Sequence, residues 1–242
     1  MLFKTEAFVL KNKPFREADR LYTLFTPQEG IVNALLKSAA KSNSKQAGHL
    51  PIFGKVKVMI VRGKIDRLAG VNLINDFSNL RCSIKNISLA YSIIELYINE
   101  SSGFQKLEEF YLLENILSIL DNKLIVLEKK VLLSRIFLWK YLSMSGWKPE
   151  LDKCVICSNE VNNSNYLPGH GIMCAKHNNN QKVNISNSLI ILLKFIIESN
   201  WSELIDLNVN KELNKEWLKI SQLFYQSIYE KPLKSLKVFN YG

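Results

Sequence analysis

The chain has 242 residues, a formal net charge of +10, 47% hydrophobic residues and 22% charged ones. That balance describes a folded globular protein and excludes a disordered or collagen-like chain. The longest strongly apolar stretch, Leu189 to Ile197, contains Lys194 and spans nine residues, whereas a membrane span needs about 20.

No basic-then-apolar leader pattern opens the chain, because Lys4, Glu6 and Lys11 break every run. A cytoplasmic, reducing compartment is therefore expected. There the four cysteines read as metal ligands rather than as a disulfide framework.

Residues 1–80 read as five short strands: Leu2–Leu10, Arg20–Thr26, Gly30–Lys37, Gly54–Val61 and Leu68–Phe77. Lys55 to Val61 begins with charged and apolar residues in alternation, the period of a half-exposed strand. Turn residues punctuate the pattern at Pro27–Gly30 and Arg62–Asp66. Five strands in this length fit a small closed barrel, with the OB-fold as the leading candidate.

The excess charge concentrates in this segment. Residues 1–80 hold thirteen Lys/Arg against six Asp/Glu, while 81–242 hold nineteen against sixteen. A drift toward lysine explains the choice of lysine over arginine, but not where the excess falls. The segment therefore reads as an electrostatic footprint for a polyanion. Lys11, Lys13, Arg16 and Arg20 are expected in the loop after the first strand, and Arg62, Lys64 and Arg67 in the loop after the fourth. In OB barrels those loops lie on the ligand side. Lys37, Lys41 and Lys45 form a third basic segment among small residues. Such cations neutralise phosphates, and Phe15, Tyr22 or Phe53 could stack on unpaired bases, with core packing as the alternative for each. Glu17 and Asp19 are the only close acidic pair in the barrel. They read as braces for Arg16 or Arg20, not as a catalytic cluster.

After Asn79 the apolar period changes to three and four residues. Helices are expected over Asn86–Asn99, Lys106–Leu120, Leu124–Met144, Ser188–Ser199 and Glu212–Tyr229. Gly146 is placed to stop the third, Ser186 or Asn187 to cap the fourth, and Pro232 to follow the fifth.

Between these helical blocks lies a polar, loop-rich insert with Cys154-Val-Ile-Cys157 and Cys174-Ala-Lys-His177. Paired ligands two residues apart, joined by sixteen, match tetrahedral structural zinc sites. Four protein ligands leave no open position for a catalytic water, so one structural Zn2+ is expected. Its binding would stabilise a segment poor in apolar residues. His170 is the rival fourth ligand, and Cys82 reads as a small buried side chain. The fold class is thus α+β and multi-domain: an N-terminal OB-fold β-barrel over 1–80, an α-helical domain over 81–149 and 184–242, and an inserted zinc knuckle over 150–183.

Several motifs together resemble one family. Phe15-Arg-Glu-Ala-Asp19 leads through Leu-Tyr-Thr to Gly30 and then to the small basic loop, and Leu50-Pro51 opens the next strand. Ala90-Tyr91 and Glu95-Leu96 follow on the first long helix, and Gly146-Trp-Lys-Pro149-Glu-Leu-Asp152-Lys-Cys154-Val-Ile-Cys157 approaches the knuckle. The combination resembles the bacterial RecO family of DNA repair and recombination mediators over most of the chain. Departures fall at Ser38, where the family often has Gly, at Lys41, where it often has Arg, and at His177, where many members have Cys. The resemblance implies a non-enzymatic mediator that binds single- and double-stranded DNA, anneals strands, and works with RecR. It also implies contact with the C-terminal tail of single-stranded-DNA-binding protein, help in loading RecA, and a cytoplasmic, nucleoid-associated setting. From the residues alone, an RNA-binding or translation-associated OB protein with a structural zinc stands as the alternative.

Overall fold

In the computed structural model, alternation in the first eighty residues becomes a ring of strands. They are β1 (Leu2–Pro14), β2 (Arg20–Thr26), β3 (Gly30–Leu36), β4 (Lys55–Val61) and β5 (Asp66–Asn75). The structure describes residues 1–41, 44–99, 106–161, 164–177 and 183–229; Ser42 and Asn43 of the basic segment, parts of the insert, and Pro232 lie outside the described residues. The order around the ring is β1-β2-β3-β5-β4, an arrangement of the OB type. Neighbours are antiparallel except β3 and β5, whose parallel seam consists of Ala34 opposite Asp66 and Leu35 opposite Arg67. Inward positions fill the interior with Ala7, Val9, Tyr22, Leu24, Val32, Ala34, Val58 and Ile60. The short helix α1 (Lys45–Gly48) precedes β4.

The helices α2 (Ile84–Asn99) and α3 (Lys106–Asp121) follow the barrel. They carry apolar stripes at helical spacing, which cover outward aromatics of β1 and β2. The rings of Phe8 and Phe110 stand 4.7 Å apart, and those of Phe25 and Tyr97 4.8 Å apart. Lys55 Nζ lies 3.0 Å from Glu6 on β1 and 2.8 Å from Glu114 on α3. The Asp121 carboxylate accepts from the Leu80 amide at 2.8 Å. These contacts place both helices in one compact unit with the barrel, Met1–Ile125, separate from a second unit, Val126–Gly242.

In the second unit, α4 (Leu127–Leu142) is buried on nearly every face, so its sequence shows little amphipathic contrast. Trp139 stacks on Phe224 at 4.5 Å and donates Nε1 to Ser221 Oγ at 2.8 Å. The Arg135 guanidinium lies 5.0 Å from the Trp217 ring, and burial lowers its pKa to about 10. The helix ends at a single π turn over Ser143–Trp147, where Gly146 adopts φ 96°, a left-handed conformation that glycine tolerates without a Cβ clash. After the insert come α5 (Asn187–Glu198), the short α6 (Trp201–Leu204) and α7 (Lys211–Tyr229). Ser186 caps α5, its hydroxyl accepting from the Leu189 amide at 3.2 Å. Among the described residues no helix is long and apolar enough to cross a membrane.

The insert is more ordered than its composition implied. It forms a three-stranded sheet ordered β7-β6-β8, with β6 at Ser164–Leu167, β7 at Gly171–Cys174 and β8 at Val183–Asn184. Tyr166, Ile172 and Met173 are fully or almost fully buried.

Candidate nucleic-acid surface and metal knuckle

The basic surface begins with a break in strand regularity. On β1, Val9 pairs with Leu24, yet Lys11 rather than Leu10 pairs with Thr23. The extra residue is a β-bulge, which shifts the side-chain parity of the strand beyond it. Without it Lys11 and Lys13 would follow Ala7 and Val9 into the interior; with it they are exposed. Both were expected in a loop, but β1 runs on to Pro14 and carries them on its outer side. Lys13 then shares a row across the sheet with Leu21, Leu35 and Arg67.

The turn after β1 is fastened to the basic segment after β3. Phe15 donates its amide to Asp19 O at 3.1 Å, and the Ala40 amide donates to Ala18 O at 2.9 Å. Asp19 was expected to brace an arginine; instead its carboxylate accepts from the Ser38 amide at 2.9 Å. Ser38 has φ 54°, a left-handed conformation that glycine adopts most readily. The Asp19 contact helps to hold the serine there.

Eight of the ten basic candidates are exposed: Lys11, Lys13, Arg16, Lys37, Lys41, Lys45, Lys64 and Arg67. Among the described residues none of the eight enters an ion pair. The other two are engaged. Arg20 is half-buried and donates to Asn12 Oδ1 at 2.9 Å. Arg62 pairs with Glu29 and Asp66 and lies over the Phe3 ring at 4.5 Å. The aromatic candidates divide more sharply. Tyr22 and Phe53 are each only 2% exposed and belong to the core, whereas Phe15 is 36% exposed.

In the insert, Cys154, Cys157, Cys174 and His177 come together with all four ligand atoms within 4.8 Å of one another. His177 Nδ1 lies 3.2 Å from Cys174 Sγ and 3.6 Å from Cys154 Sγ, and Cys157 Sγ lies 3.9 Å from Cys174 Sγ. A tetrahedral zinc with ordinary bond lengths puts sulfurs about 3.8 Å apart and sulfur about 3.5 Å from nitrogen. The donor set and its spacing therefore fit that ion. His170, the rival ligand, is exposed and outside the cluster.

Local backbone geometry shapes both halves of the knuckle. The first closes through the Ser158 amide to Cys154 O at 2.8 Å, with Ser158 at φ 58°. The second closes through the His177 amide to Cys174 O at 3.2 Å. Gly171 at φ 139° lets the start of β7 approach the Glu150 backbone, since a Cβ there would stand 2.1 Å from Glu150 O. At Cys154, burial raises the thiol pKa, but the Cys174, Cys157 and Ile156 amides outweigh it and lower the value to about 6. This sulfur is set up as a thiolate, the form that binds metals. Cys82, expected to be buried, is exposed and lies 3.6 Å from Ser78 O.

An OB-type barrel with an exposed basic surface, joined to a helical body that carries a Cys3His knuckle, defines a class of barrel-and-knuckle proteins. Residues 1–77 match the family model for the N-terminal part of recombination protein O, and residues 81–237 match that for its C-terminal part. The chain belongs to the RecO family. It is 32% identical over 242 residues to a DNA repair protein RecO of Dehalococcoides mccartyi, an alignment covering 97% of this chain and 93% of the relative. A DNA repair protein RecO of Clostridium novyi is 30% identical over 247 residues, covering 99% and 94%. One from Desulforamulus reducens is 28% identical over 243 residues, covering 97% and 92%. The family models meet between residues 77 and 81, whereas the compact units meet at 125 and 126. Helices α2 and α3 thus belong to the C-terminal sequence family and pack with the barrel.

Proposed function

We propose that this chain is a non-enzymatic mediator of recombinational DNA repair, with the barrel of 1–80 as its nucleic-acid-binding domain. The observation that supports this most is the set of eight exposed cations with no ion pair among the described residues. Unpaired surface lysines and arginines carry an unneutralised field, and phosphates are the polyanion that such a field attracts. Lys11, Lys13, Arg16, Lys37, Lys41, Lys45, Lys64 and Arg67 contact phosphate oxygens of single- or double-stranded DNA, with Arg20 and Arg62 shaping the surface beside them. Neutralised in this way, two complementary strands can approach on one protein surface and pair. Membership in the family supports the partners: RecR, the C-terminal tail of single-stranded-DNA-binding protein, and RecA as the protein finally loaded.

The metal in this reading is one structural Zn2+ held by Cys154, Cys157, Cys174 and His177. Bound there it supplies a four-way cross-link and no reactive position. The mediator reading is tested by annealing complementary oligonucleotides, bare and coated with single-stranded-DNA-binding protein. Acceleration in both conditions is expected. Failure to accelerate either, or stronger binding to RNA than to DNA of the same sequence, would overturn it.

A further inference from the structure

Phe15 is the one exposed aromatic among the described residues of 1–80. Phe8, Tyr22, Phe25, Phe53 and Phe77 are buried, and Phe3 lies under the Arg62 guanidinium. An isolated exposed ring means little by itself, but this one has a defined setting. The antiparallel register that pairs Pro14 with Arg20 continues by one step through the bond from the Phe15 amide to Asp19 O. Phe15 therefore keeps the outward parity that the bulge gives Lys11 and Lys13. Along this edge two cations and then a ring succeed one another every second residue, roughly 6.8 Å apart.

The ring's surroundings are also held in place. The Arg16 guanidinium carbon lies 5.5 Å from its centroid. Two hydrogen bonds, Ala40 to Ala18 and Ser38 to Asp19, fasten the loop bearing Lys37 and Lys41 beside its turn. A pre-positioned ring among backbone-neutralising cations has the composition of a stacking platform for unpaired bases. A paired base has both faces covered by its neighbours in the duplex and offers none to Phe15.

We propose that Phe15 is a specificity-determining residue: it stacks on an unpaired base and gives single strands an affinity that duplex DNA does not share. This rests on the reading of the barrel as a DNA surface, and names what on that surface tells one strand from two. The cations serve both forms through phosphate; the ring serves only one.

The experiment measures binding of the full chain to fluorescein-labelled oligothymidylate and to a labelled duplex of the same length, by anisotropy. Phe15→Ala is expected to weaken single-strand binding about tenfold, leave duplex binding within about twofold, and leave the salt dependence of both unchanged. Phe15→Trp should restore single-strand affinity and add a tryptophan emission that oligothymidylate quenches and duplex does not. If the unaltered protein binds DNA but Phe15→Ala binds the single strand equally well, the assignment to Phe15 is overturned and the DNA-surface reading stands. Equal losses on single strand and duplex would also overturn it, since a phosphate or structural role would cause them. If the unaltered protein binds neither, the parent reading fails and this one with it.

Discussion

Cysteine 154 joins two opposing effects, burial that penalises its thiolate and three backbone amides that favour it, with a net pKa of about 6. A metal ligand has to lose its proton, so metal affinity falls as pH drops through that range and the proton competes for the sulfur. Purified protein is expected to carry one zinc per chain by elemental analysis, and to release it more readily as the pH is lowered and protons compete for the sulfurs. Cys154→Ser should lose the metal and expose residues 150–177 to proteolysis while DNA affinity persists. His177→Ala should lose the metal and His170→Ala should keep it; the reverse result would assign the fourth ligand to His170. The paired ligand spacing made this cluster legible in the sequence. The bulge at Leu10 was not legible, because an inserted residue leaves a strand's composition unchanged and alters only its register. The strand runs on to Pro14 instead of ending in a loop, and that one extra residue turns Lys11 and Lys13 from the interior to the exposed face. Tyr22 and Phe53 show the same limit, since an aromatic in a strand reads alike whether its parity turns it inward or outward.

Between elements, Lys55 acts as a clasp. Its amine, with 12% of the side chain exposed, reaches Glu6 on β1 and Glu114 on α3. Burial alone would lower its pKa, but the hydrogen bonds and charges of Glu114 and Glu6 raise it above 10.5. A lysine whose folded pKa is raised contributes stability that is complete below its unfolded pKa and lost as pH rises through the folded one. Lys55→Met is therefore expected to destabilise the protein by up to about 1 kcal/mol near neutrality, because it removes the partner of two partly solvated carboxylates. It should also flatten the fall in melting temperature above pH 10.5, the ordinary lysine value. Thermal melts across alkaline pH check both effects. This clasp was hidden in the sequence, since Lys55 and Glu114 are 59 residues apart and nothing local marks them as partners. The five strands and five long helices were legible because period-two and period-3.6 patterns are local. The short helices α1 and α6 were not, because four residues are too few to show a period. The small sheet of the insert escaped notice because its strands contain Ser, Asn and Gly among their few apolar residues.

Across the whole chain, charge is unevenly shared, and that asymmetry has a measurable signature. If roughly four phosphates are neutralised on the barrel, log affinity for single strands should fall against log salt with a slope near −3. Replacing Lys37, Lys41 and Lys45 together by alanine should weaken binding to every sequence about equally and flatten that slope. An unchanged slope would mean that these three lysines are only a solvated surface. All three side chains are exposed, so the circular dichroism spectrum of the variant should match that of the unaltered protein.

The parallel seam of β3 and β5, only two residue pairs long, has a consequence for how the ring forms and opens. The antiparallel ladders β1-β2-β3 and β4-β5 each join neighbours along the chain, so they can zip locally at small cost in loop entropy. Closing the circle requires β1 to find β4 some fifty positions away, and then β3 to meet β5 with few bonds to reward it. A join held by only two residue pairs is expected to yield first. Amide protons should therefore exchange through local opening at the seam well before the barrel unfolds as a whole.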